Sequence, residues 1–165
     1  MKVLRFAREI DRSGQRFYEE MAERAESEGV RSIFQELAED EARLLSRMES
    51  RAGADGLDSP ALDRGINVFE ELRHQEDRLA VADDLTAYRL ALDAERQVVT
   101  QYESTADAEQ DPSLRRILRE IAADERQLLE ELEERFDFAN VPNNYLAWGE
   151  FSNLGEFHNF GRDVG

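Results

Sequence analysis

An internal repeat constrains the fold of this sequence more than any other feature. When the chain is shifted by 84 residues, the segment 7–51 aligns without a gap on the segment 91–135, and both turn regions coincide. A composition rich in Ala, Glu, Leu and Arg inflates such a match, but it does not explain the continuous register. The positions that keep the same residue in the second copy include Ala7, Arg12, Tyr18, Glu19, Ala22, Ile33, Glu36, Ala38, Asp40, Glu41, Leu44, Leu45, Glu49 and Arg51.

Each copy contains two apolar stripes with helical spacing. Apolar residues recur at steps of three and four over about 2–26 and 30–48, and again over 85–106 and 112–132. Turn signals separate the stripes within each copy, at Ser27-Glu28-Gly29 and at Asp111-Pro112-Ser113. The pattern therefore predicts two copies of one helical hairpin.

The connection between the copies is too long for an ordinary loop between antiparallel helices. Residues 52–83 begin with a loop rich in Gly, Ala and Asp over 52–58 and continue with a helical pattern over 66–81. A link of this length can cross the bundle from one end to the other. We predict an all-α four-helix bundle over residues 1–135, with a long crossover between two repeated hairpins.

The charge and the cysteine count exclude several classes of function. The chain has 38 Asp and Glu against 21 Lys and Arg, a net charge of −17, and no cysteine. Thiolate metal sites, iron–sulfur clusters and thiol catalysis are therefore excluded. The negative field disfavours nucleic acid and anionic membranes as partners and attracts cations. Without an apolar run of membrane-spanning length or a signal-peptide pattern, we expect a soluble cytoplasmic protein.

One carboxylate interrupts each apolar stripe, and all four should point inward. They are Asp11, Glu41, Glu95 and Glu125. The first pair and the second pair are each separated by 30 residues, with midpoints at the two turns. In an antiparallel hairpin, two residues that are each about 15 positions from the turn lie at the same level of the bundle, roughly 22 Å from the turn along the helix axis. Each hairpin is thus expected to supply two facing carboxylates.

Buried acids of this kind need neutralisation, because an unpaired buried charge is costly. The inner stripes carry no Lys, Arg or His near these positions, so one or two divalent metal ions are the economical source of positive charge. The alternative is that the four groups are partly solvated, or protonated and hydrogen-bonded to Tyr18 and Tyr102. Asp40 and Asp124, which precede two of these acids, are predicted to face solvent.

At these residues the sequence resembles the ferritin-like, rubrerythrin-related di-iron proteins. In that family a Glu precedes a Tyr by seven residues on helices one and three, and an E-x-x-H motif lies on helices two and four. The corresponding segments here are DRSGQRFY, ERQVVTQY, LAEDEARLL and IAADERQLL. The resemblance covers about residues 1–135 and implies a ferritin-like bundle with metal ligands Asp11, Glu41, Glu95 and Glu125. It also implies Tyr18 and Tyr102 as donors to those ligands, although a tyrosine on an inner stripe is about as often there for packing alone.

The departures from the family pattern affect the expected chemistry. Leu44 and Leu128 occupy the positions of the two histidines, Asp11 replaces a Glu, and no cysteine is present for a rubredoxin-type iron site. An all-oxygen ligand set suits Mn, Mg, Ca or ferrous iron, and binds zinc or iron less tightly than a set with imidazole. Two functions follow as hypotheses. The first is a di-metal protein, with iron favoured over manganese or zinc, that oxidises iron with dioxygen or peroxide; the second is a metal-binding or interaction module without turnover.

The last segment, 136–165, differs in composition from the rest of the chain. It holds half of the aromatic residues and little charge, so we expect it to dock on the bundle or on a second subunit. For a homodimer or higher homo-oligomer, the expected anchors are Tyr145, Leu146, Trp148 and Phe151. An aromatic peptide for cargo targeting is the alternative. Of the two histidines, His74 is predicted to be exposed, and His158 lies in this segment as a weaker candidate ligand.

Overall fold

The computed structural model describes the backbone of residues 1–51 and 56–157, and the side chains of 1–51 and 56–143. Four long helices form the bundle: α1 (Val3–Arg24), α2 (Glu28–Ser50), α4 (Asp84–Ala108) and α5 (Pro112–Phe157). A short helix, α3 (Val68–Arg73), lies in the crossover between α2 and α4. The protein is thus an all-α bundle of two hairpins, as the repeat predicts. No helix in the described part of the chain is long and apolar enough to cross a membrane.

Side-chain caps explain where the long helices begin. The Ser27 hydroxyl accepts a hydrogen bond from the Val30 amide, and the Asp83 carboxylate accepts one from the Thr86 amide at 2.8 Å. Asp111 accepts from the amides that follow Pro112, whose fixed φ suits the first helical position. The turns foreseen from polar and Gly or Pro residues therefore act as helix starts.

The crossover is less helical than its sequence suggests. The predicted helix over 66–81 is limited to α3, followed by a single 3-10 turn at Glu76–Arg78. The Asn67 side chain accepts from the Glu70 amide and fixes the start of α3, whereas Asp83 must be extended to cap α4. Between these caps only short helical pieces fit. Phe69 and Leu72 nevertheless anchor the crossover, because both side chains are buried in the core.

Helix α5 continues beyond the end predicted for the bundle at residue 135. It runs to Phe157 and contains Pro142 within its length. At about 1.5 Å per residue, the part after residue 135 is roughly 33 Å long. Phe136 packs at the edge of the core, whereas Phe138 is 83% exposed. The expected anchors from Tyr145 to Phe151 lie outside the described side chains, and His158 lies outside the described residues.

Two ion pairs related by the repeat join α2 to α5. Arg135 binds Asp40 at 2.8 Å, and its counterpart Arg51 binds Asp124 at 2.5 Å. The prediction that Asp40 faces solvent is wrong, because Asp40 is only 4% exposed and also forms an ion pair with Arg43. Asp124 is half-buried. Adjacent residues on a helix point in different directions. The aspartates that precede the inward Glu41 and Glu125 therefore point sideways, toward arginines of the neighbouring helix.

We expect Arg135→Ala to destabilise the protein by about 2 kcal/mol, since it removes one partner of a buried carboxylate. The melting temperature should fall by roughly 4–8 °C. The control is Arg5→Ala, which removes the exposed pair between Arg5 and Glu9 and should cost less than about 0.5 kcal/mol. Equal losses for both variants in thermal unfolding would contradict the importance of the α2–α5 ion pairs.

Candidate metal centre

Four acidic side chains from four different helices lie in the interior of the bundle. Asp11 belongs to α1, Glu41 to α2, Glu95 to α4 and Glu125 to α5. Their exposed fractions are 0%, 1%, 1% and 1%, respectively. The structure thus places all four acids of the predicted set among buried apolar residues, where their charges are largely shielded from water.

Each carboxyl group has an acid of the other hairpin as a close neighbour. Asp11 is within hydrogen-bonding reach of Glu125, and Glu41 is within reach of Glu95. All four also influence one another electrostatically. The equal spacing from the turns brought the four groups to one level, as expected. The spacing does not predict which two acids lie closest together, because this depends on how the two hairpins face each other.

Burial is the main cause of the raised pKa values in this cluster. Desolvation, together with the nearby charge of Glu95, raises the pKa of Asp11 to about 7. Desolvation also raises the pKa of Glu95 to about 7, although the hydrogen bond from Tyr18 and the adjacent carboxyl of Glu41 oppose the shift. The pKa values of Glu41 and Glu125 are raised well above their usual range by burial and then by the neighbouring carboxylates. The protein therefore favours neutral, protonated acids here unless a cation compensates their charges.

Most carboxyl oxygens of the cluster have no hydrogen-bond donor within the described residues. Both oxygens of Asp11 and of Glu41, and one each of Glu95 and Glu125, are buried without such a partner. Native proteins satisfy nearly all buried polar atoms, so a group of unsatisfied oxygens requires an explanation. Shared protons or bound cations can provide it.

The two tyrosines of the predicted set lie beside the cluster, and both are fully buried. The Tyr18 hydroxyl donates to Glu95 Oε1 at 2.5 Å, and the Tyr102 hydroxyl has no partner within the described residues. Burial raises the pKa of each phenol well above 10. Both hydroxyls therefore stay protonated at neutral pH, and Tyr18 restrains one oxygen of Glu95.

Sequence reasoning missed two neighbours of the cluster. A Cβ atom at Gly14 would lie 2.7 Å from Glu41 Cδ and 2.9 Å from Phe69 Cε2, so glycine leaves the space that both side chains use. Phe69 comes from the crossover and packs against Phe17 and Tyr18 with ring centroids 5.8 and 5.5 Å away. A glycine inside a helix is unfavourable by about 1 kcal/mol relative to alanine. Its presence within α1 was therefore the one sign in the sequence that other side chains pack closely against this position.

The positions expected for histidine contain buried leucines. Leu44 is 4% exposed and Leu128 is 5% exposed, each one helical turn from a core glutamate. They line, with Asp40 and Asp124, a small cavity of about 40 Å³ between α2 and α5. His74 is exposed, as predicted. No imidazole therefore reaches the cluster from the described part of the chain.

The donor set fits a divalent cation in its chemistry. As the side chains stand, no group of three or more His, Cys, Asp or Glu within the described ranges is arranged to hold a metal ion. The four carboxyls face one another as two pairs, which is the arrangement expected when protons occupy the space between acids. Unsatisfied oxygens, full burial and an excess of negative charge nevertheless match the needs of a hard cation.

The raised pKa values predict how the stability of the metal-free protein depends on pH. Asp11 has a usual value of 3.8 and Glu95 one of 4.5, and folding raises both to about 7. The folded state therefore binds more protons than the unfolded state in that interval, so the contribution of these groups to stability falls as pH rises from about 4 to about 7. Asp11→Asn should remove part of this slope and raise the stability at pH 8 by about 2 kcal/mol, or roughly 4–8 °C in melting temperature.

Thermal unfolding in the presence of a chelator, between pH 5 and pH 8, measures this difference. Asp137→Asn is the matched control, because Asp137 is exposed. If both variants show the same dependence on pH as the unmodified protein, the acids of the cluster are not protonated as proposed.

Comparisons with known proteins identify the family to which the chain is related. The model of the family described as Rubrerythrin matches residues 2–134, a range that contains all four carboxylates and both tyrosines. No curated protein and no solved structure is similar enough to this chain to count as a match. Because the match covers most of the sequence and the fold is an all-α bundle of two hairpins, this protein belongs to the rubrerythrin family.

Proposed function

We propose that this protein binds two divalent metal ions, with iron the favoured metal, through Asp11, Glu41, Glu95 and Glu125. Membership of the rubrerythrin family supports a divalent metal as the class of cofactor. The observation that carries the proposal for these residues is the set of fully buried carboxyl oxygens without donors. Bound cations would replace the shared protons and remove the cost of four neighbouring buried acids.

When bound, the metal ions would supply the redox chemistry, with dioxygen or peroxide as oxidant. The residues of the chain provide the surroundings for that chemistry. Tyr18 holds Glu95 in one orientation, and Phe69 and Phe34 close the space beside Tyr18 with their rings. The site is thereby shielded from bulk water and its ligands are held by buried contacts.

A second candidate function is metal binding without turnover. Leu44 and Leu128 favour it, because two buried leucines replace the family's imidazole ligands and leave only oxygen donors within the described residues. An all-oxygen set suits Mn²⁺, Mg²⁺ or Fe²⁺, and should bind zinc or iron less tightly than a set that contains imidazole. Manganese and zinc are the alternatives to iron.

We also propose that the protein forms a homodimer or higher homo-oligomer through its helices and the segment after residue 135. The exposed Phe138 and Val141, at 83% and 53%, support an apolar contact surface on α5. Cytoplasmic location and the absence of nucleic-acid or membrane partners are predictions from charge and sequence.

Metal analysis tests the ligand set. Protein purified without chelator, or reloaded with Fe²⁺ or Mn²⁺ without oxygen, should hold about two metal ions per chain by elemental analysis. Glu41→Gln with Glu125→Gln should weaken binding at least about tenfold, on the scale known for disturbed metal sites. The control pair, Glu39→Gln with Glu134→Gln, changes exposed residues of the same helices. Equal metal content in both double variants, with intact helical structure, would contradict the proposal.

Addition of oxidant separates the two candidate functions. After anaerobic loading with Fe²⁺, dioxygen or peroxide should produce a ferric absorption band if the protein is a redox enzyme, whereas a binding module should hold iron without rapid oxidation. Leu44→His with Leu128→His should raise the affinity for iron, because it restores two imidazole ligands. Unchanged affinity in a folded double variant would show that these leucines do not explain the difference from the family.

A further inference from the structure

The repeat relates two tyrosine–acid pairs, but only one pair is hydrogen-bonded. Tyr18 donates to Glu95 at 2.5 Å. The residues 84 positions away from this pair are Tyr102 and Asp11. The Tyr102 side chain is 0% exposed, and its hydroxyl has no partner within the described residues. The two tyrosine–acid pairs related by the repeat therefore differ in one hydrogen bond.

The difference in side-chain length explains the missing bond. Asp11 is one methylene shorter than Glu95, so its carboxyl group ends closer to the backbone of α1 than the symmetric position requires. It lies within hydrogen-bonding reach of Glu125 instead. The Phe6 ring packs edge-on against the Tyr102 ring, with centroids 6.1 Å apart, and helps to hold the phenol where it is. By the symmetry of the repeat, Asp11 is the acid that would accept from the Tyr102 hydroxyl, and that bond is not made.

A donor fixed in this way needs a partner from outside the chain. Burial, followed by the nearby charges of Glu125 and Asp11, raises the pKa of the Tyr102 hydroxyl, so it stays protonated and can donate. An anion is unsuitable as a partner because the surrounding groups are carboxyls. A neutral oxygen compound meets no such repulsion, and a water-sized molecule is stable in a buried site when it has two or more polar partners.

We propose that Tyr102 and Asp11 form a binding position for one small neutral oxygen ligand, of which water is the simplest. The ligand accepts from the Tyr102 hydroxyl and donates to an Asp11 oxygen, while the unpartnered oxygen of Glu125 is a further acceptor. We expect the methylene that Asp11 lacks, relative to Glu95, to leave the space for it. This proposal goes beyond metal binding and holds for the metal-free protein.

The two tyrosine–acid pairs, Tyr18 with Glu95 and Tyr102 with Asp11, consequently have different roles. Tyr18 is a positioning residue, because its hydroxyl is already used to hold Glu95. Tyr102 is free of that task and is the donor that an incoming oxygen ligand meets. Replacement of Asp11 by Glu should convert the second half into a copy of the first.

Crystal structures of the chelator-treated full chain test the position directly. We expect electron density for one water oxygen about 2.6–3.0 Å from Tyr102 Oη in the unmodified protein. In Asp11→Glu this oxygen should be absent, with the new carboxylate bonded to Tyr102. The mirror variant, Glu95→Asp, should gain a water oxygen at Tyr18. A protein atom bonded to Tyr102 Oη in the unmodified protein, or an unchanged water oxygen in Asp11→Glu, would overturn the proposal.

Thermal unfolding of the same metal-free proteins provides a measurement in solution. Tyr102→Phe should lower the melting temperature more in the Asp11→Glu background than in the unmodified protein, because the tyrosine acquires a direct carboxylate partner there. Equal shifts in both backgrounds would contradict the pairing. Both experiments are done without metal, so failure to bind metal would reject the proposed function and leave this inference to be decided by its own results.

Discussion

The burial of four acidic groups at one level of the bundle is the constraint on which the rest of the structure depends. An isolated buried carboxylate is expensive, and four neighbours repel one another in addition. The cluster therefore cannot contribute to folding as four charges, and it exists only with protons or cations between the acids. The stability of the bundle must come from the apolar layers on both sides of the cluster, where Phe34 and Leu118 on one side, and Met48 and Leu132 on the other, are fully buried.

The α2–α5 ion pairs are coupled to this cluster through sequence neighbours. Asp40 directly precedes Glu41, and Asp124 directly precedes Glu125. On each helix the glutamate points inward, and the aspartate before it points toward an arginine of the other hairpin. A displacement of α2 relative to α5 would therefore alter both layers together. The ion pairs fix the relative position of the hairpins, which sets the distances between carboxyls from different hairpins.

Most of the fold was predictable because its signals are local. The helical stripes, the turn residues and the 84-residue repeat identify two hairpins, and the spacing of Asp11, Glu41, Glu95 and Glu125 places four acids at one level. Features that depend on contacts between hairpins were not predictable in this way. The pairing of Asp11 with Glu125 and the burial of Asp40 by Arg135 both arise from the relative orientation of the two hairpins. The short α3 was overestimated because an apolar pattern in the crossover reflects anchoring by Phe69 as much as helix formation.

The crossover also makes the two hairpins non-equivalent as building blocks. Phe69 lies against Gly14, whereas the residue related to Gly14 by the repeat is Val98, which is buried. A protein assembled from two copies of the second hairpin would place a valine where Phe69 and Glu41 need space. The packing of Phe69 against α1 thus requires the two halves of the repeat to differ at this position, so an exact duplicate of the second hairpin could not replace the first beneath this crossover.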